Sequence, residues 1–311
     1  DVPPRRSSLR RSLPGAGSVA ALGGGDFKLP RMPPARPAPS RRDLILGRTL
    51  AVLMVAIVLA IAAVLVLRLK VWRDTAVTVP ADTPLAKQCS GLDAATLDGA
   101  RRLTIKAPDG TTLGAAATGP QGASTAVVLR HGASQTICDW LPWAHEISTQ
   151  TGFEVLLFDR RGRGSSPATG SLSAEPGDLG AAVAQVRAEG AEQVALVASS
   201  MGNSIMYAAL PDLPSPPCAV VSISPVLISG DSRGQVRGDA LEKLAANTWV
   251  AYETKNQTIA DAAASIEKAA LAQGNPAPRM LAVDTSDHSR QLLAKHREVA
   301  AFVRDGIASC H

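Results

Sequence analysis

Ala198-Ser199-Ser200-Met201-Gly202 is the stretch that decides how this chain is read. It follows the apolar run Gln193-Val194-Ala195-Leu196-Val197 and leads into a helical pattern over Asn203–Leu210. A strand that turns at once into a helix leaves little space beside the turn. Small residues two positions either side of the central serine permit it, and here those are Ala198 and Gly202. Such a turn holds the Ser200 hydroxyl clear of the sheet, with the next backbone N–H pointing out beside it. The competing reading is an ordinary buried strand followed by a polar helix cap, and the neighbouring segments have to separate the two.

Outward from this turn, the chain alternates. Leu103–Ala107, the turn Pro108-Asp109-Gly110 and Thr111–Thr118 predict a β-hairpin. Apolar runs at Ala126–Arg130, Phe153–Phe158, Val194–Ala198, Ala219–Ser224, Thr248–Tyr252 and Met280–Val283 read as strands. Helical patterns fall at Trp140–Thr149, Ala174–Glu189, Asn203–Leu210, Ile259–Ala272 and Ser289–Ile307. Continuous Val/Leu/Ala strands alternating with helices predict an α/β fold: a mostly parallel sheet of about eight strands, covered on both faces. The 225–247 stretch is short, so any lid is minimal.

The N-terminal part reads differently. Residues 1–48 are rich in Pro, Gly, Ser and Arg, a composition with too little apolar surface to offset ordering entropy, and are expected to be a disordered basic tail. Residues 49–67 form an uncharged Ala/Val/Leu/Ile run, roughly 28 Å long as a helix, and read as one transmembrane helix serving as a signal anchor. Residues 68–98 read as a stalk, polar and Pro-containing from 74 onward, and residues 99–311 as the α/β domain. Residues 1–48 carry ten Lys/Arg against three Asp, a net +7, so the chain's overall +5 leaves −2 for the rest. Between the span and Cys89 lie only Arg68, Lys70, Arg73 and Lys87. The positive-inside rule then puts the N-terminus in the cytoplasm and the C-terminal domain outside. A basic tail suits anionic lipid headgroups, and a slightly acidic domain argues against nucleic acid as a partner. The sequence begins with Asp rather than Met, which reads as a fragment or a processed form.

All four cysteines, Cys89, Cys138, Cys218 and Cys310, fall in the expected exterior part. An even count in an oxidising compartment predicts one or two disulfides. Three full pairings are possible, and Cys89 with Cys138 is preferred because it would tie the stalk to the first helix of the domain. No Cys/His spacing suits zinc, and no cofactor is expected.

These residues together resemble the α/β-hydrolase superfamily, over about residues 101–308. Leu129-Arg130-His131-Gly132-Ala133 looks like its His-Gly oxyanion segment, and Cys138-Asp139-Trp140-Leu141-Pro142-Trp143-Ala144 like its first helix. Phe158-Asp159-Arg160-Arg161-Gly162-Arg163-Gly164-Ser165-Ser166 is similar to its Asp-x-Arg-Gly-x-Gly-x-Ser loop. Ser199-Ser200-Met201-Gly202 resembles its nucleophile elbow, and Asp287-His288-Ser289 its histidine loop. The resemblance implies a serine hydrolase with Ser200 as nucleophile.

A serine hydroxyl needs a base, and in this fold the chain order is Ser, acid, His. Of the histidines after Ser200, His296 falls in the last helix and His311 ends the chain. His288 follows the last strand and is the expected base. His131 reads as a structural partner of the oxyanion turn, and His145 as a surface residue. The expected oxyanion donors are the Met201 and Ala133 N–H groups, with Gly132 allowing the turn. Trp140 and Trp143 read as core, with an acyl pocket as the alternative.

The resemblance places the acid in Glu253-Thr254-Lys255-Asn256-Gln257, where Asn256 or Lys255 takes the carboxylate's expected place. Glu253 ranks first as the acid, Asp231 second, and Asn256, as an amide orienting the imidazole, third. Two functions follow. One is a membrane-anchored serine hydrolase acting on carboxylic esters or thioesters, its substrate a small ester or a lipid. The other is a hydrolase-fold binding protein that has lost its acid, a view that Asn203 also fits, standing where the family tends to have Gly.

Overall fold

The computed structural model describes residues 42, 49–50, 52–62 and 78–310. The chain divides into two compact units, Asp1–Val66 and Leu67–His311. In the first, residues 49–50 and 52–62 are helical, with Leu50, Leu53, Ile57 and Ile61 exposed. Among the described residues no helix is long and apolar enough to cross a membrane. Of the expected 49–67 span, residues 51 and 63–67 lie outside the described residues, as does nearly all of the expected 1–48 tail.

The second unit is built on an eight-stranded sheet: β1 (Ala100–Lys106), β2 (Thr112–Thr118), β3 (Thr125–Arg130), β4 (Glu154–Phe158), β5 (Gln193–Ser199), β6 (Ala219–Ile223), β9 (Thr248–Glu253) and β10 (Arg279–Val283). Its order is β1-β2-β4-β3-β5-β6-β9-β10. β2 pairs antiparallel with β1 and β4, and every other neighbour is parallel. The eight strands and their direction match the reading of the alternating pattern.

Because successive strand residues face opposite ways, each strand feeds two cores. Ala126 and Val128 of β3 face one, with helices α4 (Glu175–Ala188), α5 (Gly202–Ala209) and α6 (Gln257–Ala272). Val127 and Leu129 face the other, with α3 (Ile137–Thr151) and α8 (Arg297–Ala308). All six β3 residues are buried, and each large apolar side chain buried this way contributes roughly 1.5–3 kcal/mol.

Three details depart from the sequence reading. Part of the expected stalk is folded: α1 (Leu85–Gln88) and α2 (Ala94–Asp98) precede β1, and Gln88 Nε2 donates to the buried Asp159 at 2.7 Å. The expected helix Ser289–Ile307 is broken at His296 into α7 (Arg290–Lys295) and α8, with His296 extended at φ −116°, ψ 100°. The break leaves the His296 ring 3.1 Å from Asp287 Oδ2. The 225–247 stretch contains a small hairpin, β7 (Ile228–Asp231) and β8 (Gly234–Arg237), whose polar strands carry no apolar run to betray them.

Two disulfides close the unit. Cys89–Cys138 ties the end of α1 to the start of α3, and Cys218–Cys310 ties the entry of β6 to the end of α8.

Candidate active site

The site gathers at the C-terminal ends of the parallel strands. Ser200, directly after β5, has φ 52°, a left-handed conformation that a non-glycine residue adopts only where its surroundings impose it. The imposing contacts are visible. The Ser200 N–H donates to Ile223 O at 3.0 Å, and Asn203 N–H donates back to Ser200 O at 3.0 Å. The Asn203 side-chain Nδ2 adds bonds to Ser200 O and Ile223 O, both at 3.1 Å. Asn203 thus braces the turn against β6. Gly202 is needed for a separate reason: a Cβ there would lie 2.2 Å from Arg130 O.

His288 reaches this turn from the loop after β10. Its Nε2 lies 2.8 Å from Ser200 Oγ and its Nδ1 2.6 Å from Glu253 Oε1. A carboxylate only accepts, so Nδ1 carries the hydrogen and Nε2 is left to accept from the serine hydroxyl. Glu253 is the last residue of β9 and is fully buried, whereas the His288 side chain is 38 % exposed. The carboxylate is therefore dry, while the imidazole is partly open to solvent. Glu253 Oε2 accepts from Ser224 Oγ at 2.7 Å.

The other acid candidates are elsewhere. Asp231 lies in the β7–β8 hairpin and takes Arg160 Nη2 at 2.6 Å and Arg233 Nη2 at 2.9 Å. Burial opposes its charge, but the bonds from Arg233 and Arg160 outweigh that and hold its carboxyl below the ordinary range. Asn256 is the residue that precedes α6, exposed, with no side-chain bond to the helix. Neither is hydrogen-bonded to His288 among the described residues. The carboxylate that meets His288 stands two residues before Lys255 and three before Asn256, because β9 runs to Glu253 and its last side chain is buried against the histidine loop.

Of the proposed oxyanion groups, the Met201 and Ala133 N–H groups find no protein acceptor among the described residues, so both remain open to a ligand. The Gly132 N–H is not open: it donates to Gln135 Oε1 at 2.9 Å. The contribution of Gly132 is steric, since a Cβ there would lie 3.1 Å from both Ser200 Cβ and Gln135 Oε1. Sequence reading passed over Gln135, which also accepts from Trp140 Nε1 at 2.9 Å. Trp140 is fully buried and packs edge-on against Trp143, 5.6 Å between ring centres, which makes it core rather than pocket wall.

His131 is buried behind the oxyanion turn. Its Nδ1–H donates to Gly132 O at 2.8 Å, and its Nε2 accepts from Arg160 N–H at 3.2 Å. Burial, reinforced by the positive Arg130, holds its pKa well below the ordinary imidazole value. The 3.9 Å approach to Asp159 is therefore not an ion pair, because the ring is neutral. An arginine cluster supports the same turn. Arg160 Nη1 donates to Ala133 O at 3.2 Å, and Glu175 takes Arg130, Arg160 and Arg233 together. Burial works against the Glu175 charge, yet Arg130 and Arg160 prevail and lower its pKa. Among the described residues no group of His, Cys, Asp or Glu is arranged to hold a metal ion.

A model of the alpha/beta hydrolase family matches residues 126–307, more than half of the chain. No curated protein matches the sequence. Among solved structures, an esterase from Pyrococcus furiosus superposes with a TM-score of 0.56 at 15% identity, covering 74% of this chain and 97% of that one. An esterase/lipase from an uncultured bacterium superposes with a TM-score of 0.52 at 19% identity, covering 77% of this chain and 95% of its own. At these identities the superpositions speak for the fold. With the family match over the whole strand-helix array from β3 to α8, the chain belongs to the alpha/beta hydrolase family.

Proposed function

We propose that this protein is a serine hydrolase that cleaves carboxylic esters or thioesters through an acyl-enzyme intermediate. The observation that carries the reading is the unbroken hydrogen-bonded chain from Ser200 Oγ through His288 to Glu253. In the first half-reaction Ser200 Oγ attacks the carbonyl carbon as His288 Nε2 takes the hydroxyl proton. Glu253 holds the ring and stabilises the imidazolium that forms. The carbonyl oxygen gains a negative charge between the Met201 and Ala133 N–H groups, where each donor is worth about 10²–10³ in kcat. The tetrahedral intermediate collapses, and His288 gives its proton to the leaving alcohol or thiol. Water then repeats the sequence on the acyl-serine, releasing the acid and restoring Ser200. The names of the two superposed esterases agree with this chemistry.

The competing view, a binding protein without its acid, needs the carboxylate position empty, and Glu253 supplies a carboxylate there. The test uses the full chain: fluorophosphonate labelling and p-nitrophenyl acetate hydrolysis, each against Ser200→Ala. Absence of serine-dependent labelling sinks the enzyme reading.

We further propose that residues 49–67 anchor the protein in a membrane, with the 1–48 tail cytoplasmic and the hydrolase domain outside. The uncharged run, the ten cations before it and the two disulfides support this. Protease added to intact cells is expected to remove the domain; its protection would reverse the orientation.

A further inference from the structure

Behind the Ser200–His288–Glu253 chain runs a second line of hydrogen bonds that the proton transfers do not use. Glu253 Oε2 accepts from Ser224 Oγ at 2.7 Å, and Ser224 Oγ accepts from the Ser289 N–H at 2.8 Å. Ser289 Oγ shares a hydrogen with Ser199 Oγ at 2.5 Å and accepts from Gln135 Nε2 at 3.0 Å. Gln135 Oε1 then accepts from the Gly132 N–H and from Trp140 Nε1. The line therefore starts at the acid, passes through the residue after His288, and ends on the oxyanion turn.

The line is fully committed. Both partners at Gln135 Oε1 can only donate, which fixes the orientation of the amide. Ser224 spends its one hydrogen on the buried carboxylate, so its remaining lone pairs take the Ser289 amide. Ser224 and Ser289 are buried and have left-handed φ values of 48° and 59°. Such conformations are unfavourable for a residue with a Cβ and persist only where the surroundings over-determine them. Here they turn the Ser224 hydroxyl and the Ser289 amide toward one another.

We infer that this line is a positioning device and that Gln135 is a positioning residue for the reaction. It fixes the acid, the histidine loop and the oxyanion turn in one geometry, so that the Ala133 N–H and His288 are set relative to the same reacting carbon. The inference rests on the serine-hydrolase reading. An ordinary core role for Gln135 would lower the melting temperature alone; a positioning role lowers kcat.

The test compares full-length wild type, Gln135→Leu, Ser224→Ala and the double variant. Three quantities are read: kcat and KM on p-nitrophenyl acetate, the melting temperature, and hydrogen exchange at the Gly132 amide. Each single change is expected to lower kcat about 10–100-fold with little change in KM, as small misplacements of reacting groups do. The double variant should lose little beyond the worse single, because one line cut twice is still one line. Gly132 exchange should quicken in Ser224→Ala, at the far end of the line. Losses that multiply, an effect confined to KM, or unchanged Gly132 exchange would each overturn the inference. Should wild type show no Ser200-dependent turnover, the hydrolase reading fails and the exchange measurement alone decides the coupling. If Gln135→Leu does not fold, Gln135→Glu replaces it. It still accepts from Gly132 and Trp140 and takes the Ser289 hydroxyl as donor in place of the lost N–H. The line is then kept with one bond reversed, and kcat is expected to stay within a few-fold of wild type, while Ser224→Ala still shows the loss.

Discussion

Glu253 Oε1 lies 2.6 Å from His288 Nδ1, joining the last residue of β9 to a loop residue 35 positions further on. The carboxylate has no exposed surface, so its interaction with the ring is not shared with water. Replacing it by an amide, Glu253→Gln, keeps the shape and removes the charge. The expected result is a fall in kcat of about 10⁴, the scale seen when a triad acid is neutralised. Asn256→Ala should stay near wild type. Comparable losses in both, measured by steady-state ester hydrolysis, would mean that the acid lies elsewhere.

Gly202 sits where a Cβ would come 2.2 Å from the Arg130 carbonyl oxygen. That neighbour is the backbone at the end of β3 and cannot swing away. Gly202→Ala is expected to destabilise the fold by about 1–3 kcal/mol through overpacking, and to lower labelling of Ser200 as the turn shifts. Thermal unfolding and fluorophosphonate labelling check the two effects.

His131 makes stability depend on pH. Its folded pKa is depressed, so the unfolded chain binds a proton more readily than the native one. Above pH 6.5 the ring is neutral in both states and contributes no slope. Below that, each pH unit costs the native state about 1.4 kcal/mol from this group until the folded pKa is reached. His131→Gln should flatten the acid limb of a plot of unfolding free energy against pH. An unchanged limb would place the proton uptake on another group.

Glu175 is fully buried and takes three arginines. Glu175→Gln leaves Arg130, Arg160 and Arg233 with their charges and one carboxylate fewer. Removing one partner from a buried ionic cluster costs about 3–5 kcal/mol, and chemical denaturation should register that loss. Because Arg160 also holds the Ala133 carbonyl, kcat is expected to fall in the folded fraction as well.

The disulfides close loops with sequence separations of 49 and 92 residues. Constraining the unfolded chain in this way is worth about 4–5 kcal/mol per bridge as an upper figure. Removing Cys218–Cys310 with paired serines is expected to lower the melting temperature more than removing Cys89–Cys138. The reverse order, by calorimetry, would show that local packing outweighs loop length.

The sequence by itself determined the strand-helix alternation, and so the parallel sheet, because periodicity is a local property of the chain. It also determined that Ser200 sits on a tight turn, since Ala198 and Gly202 are the small residues that such a turn requires. What only the tertiary structure decided are relations between distant segments. Glu253 and His288 meet because β9 and β10 are hydrogen-bonded neighbours and end level with the elbow, which no spacing along the chain encodes. Asn203 reads as a departure from a family habit until β6 brings Ile223 O within reach of its amide. Gln135 carries no motif at all, and its placement depends on a serine 154 residues away. Side-chain hydrogen bonds across a sheet are set by strand order and register. Neither is written in any one segment, so the elbow and the candidates His288 and Glu253 were legible from the start, while the contacts that join them, and the parts played by Asn203 and Gln135, were not.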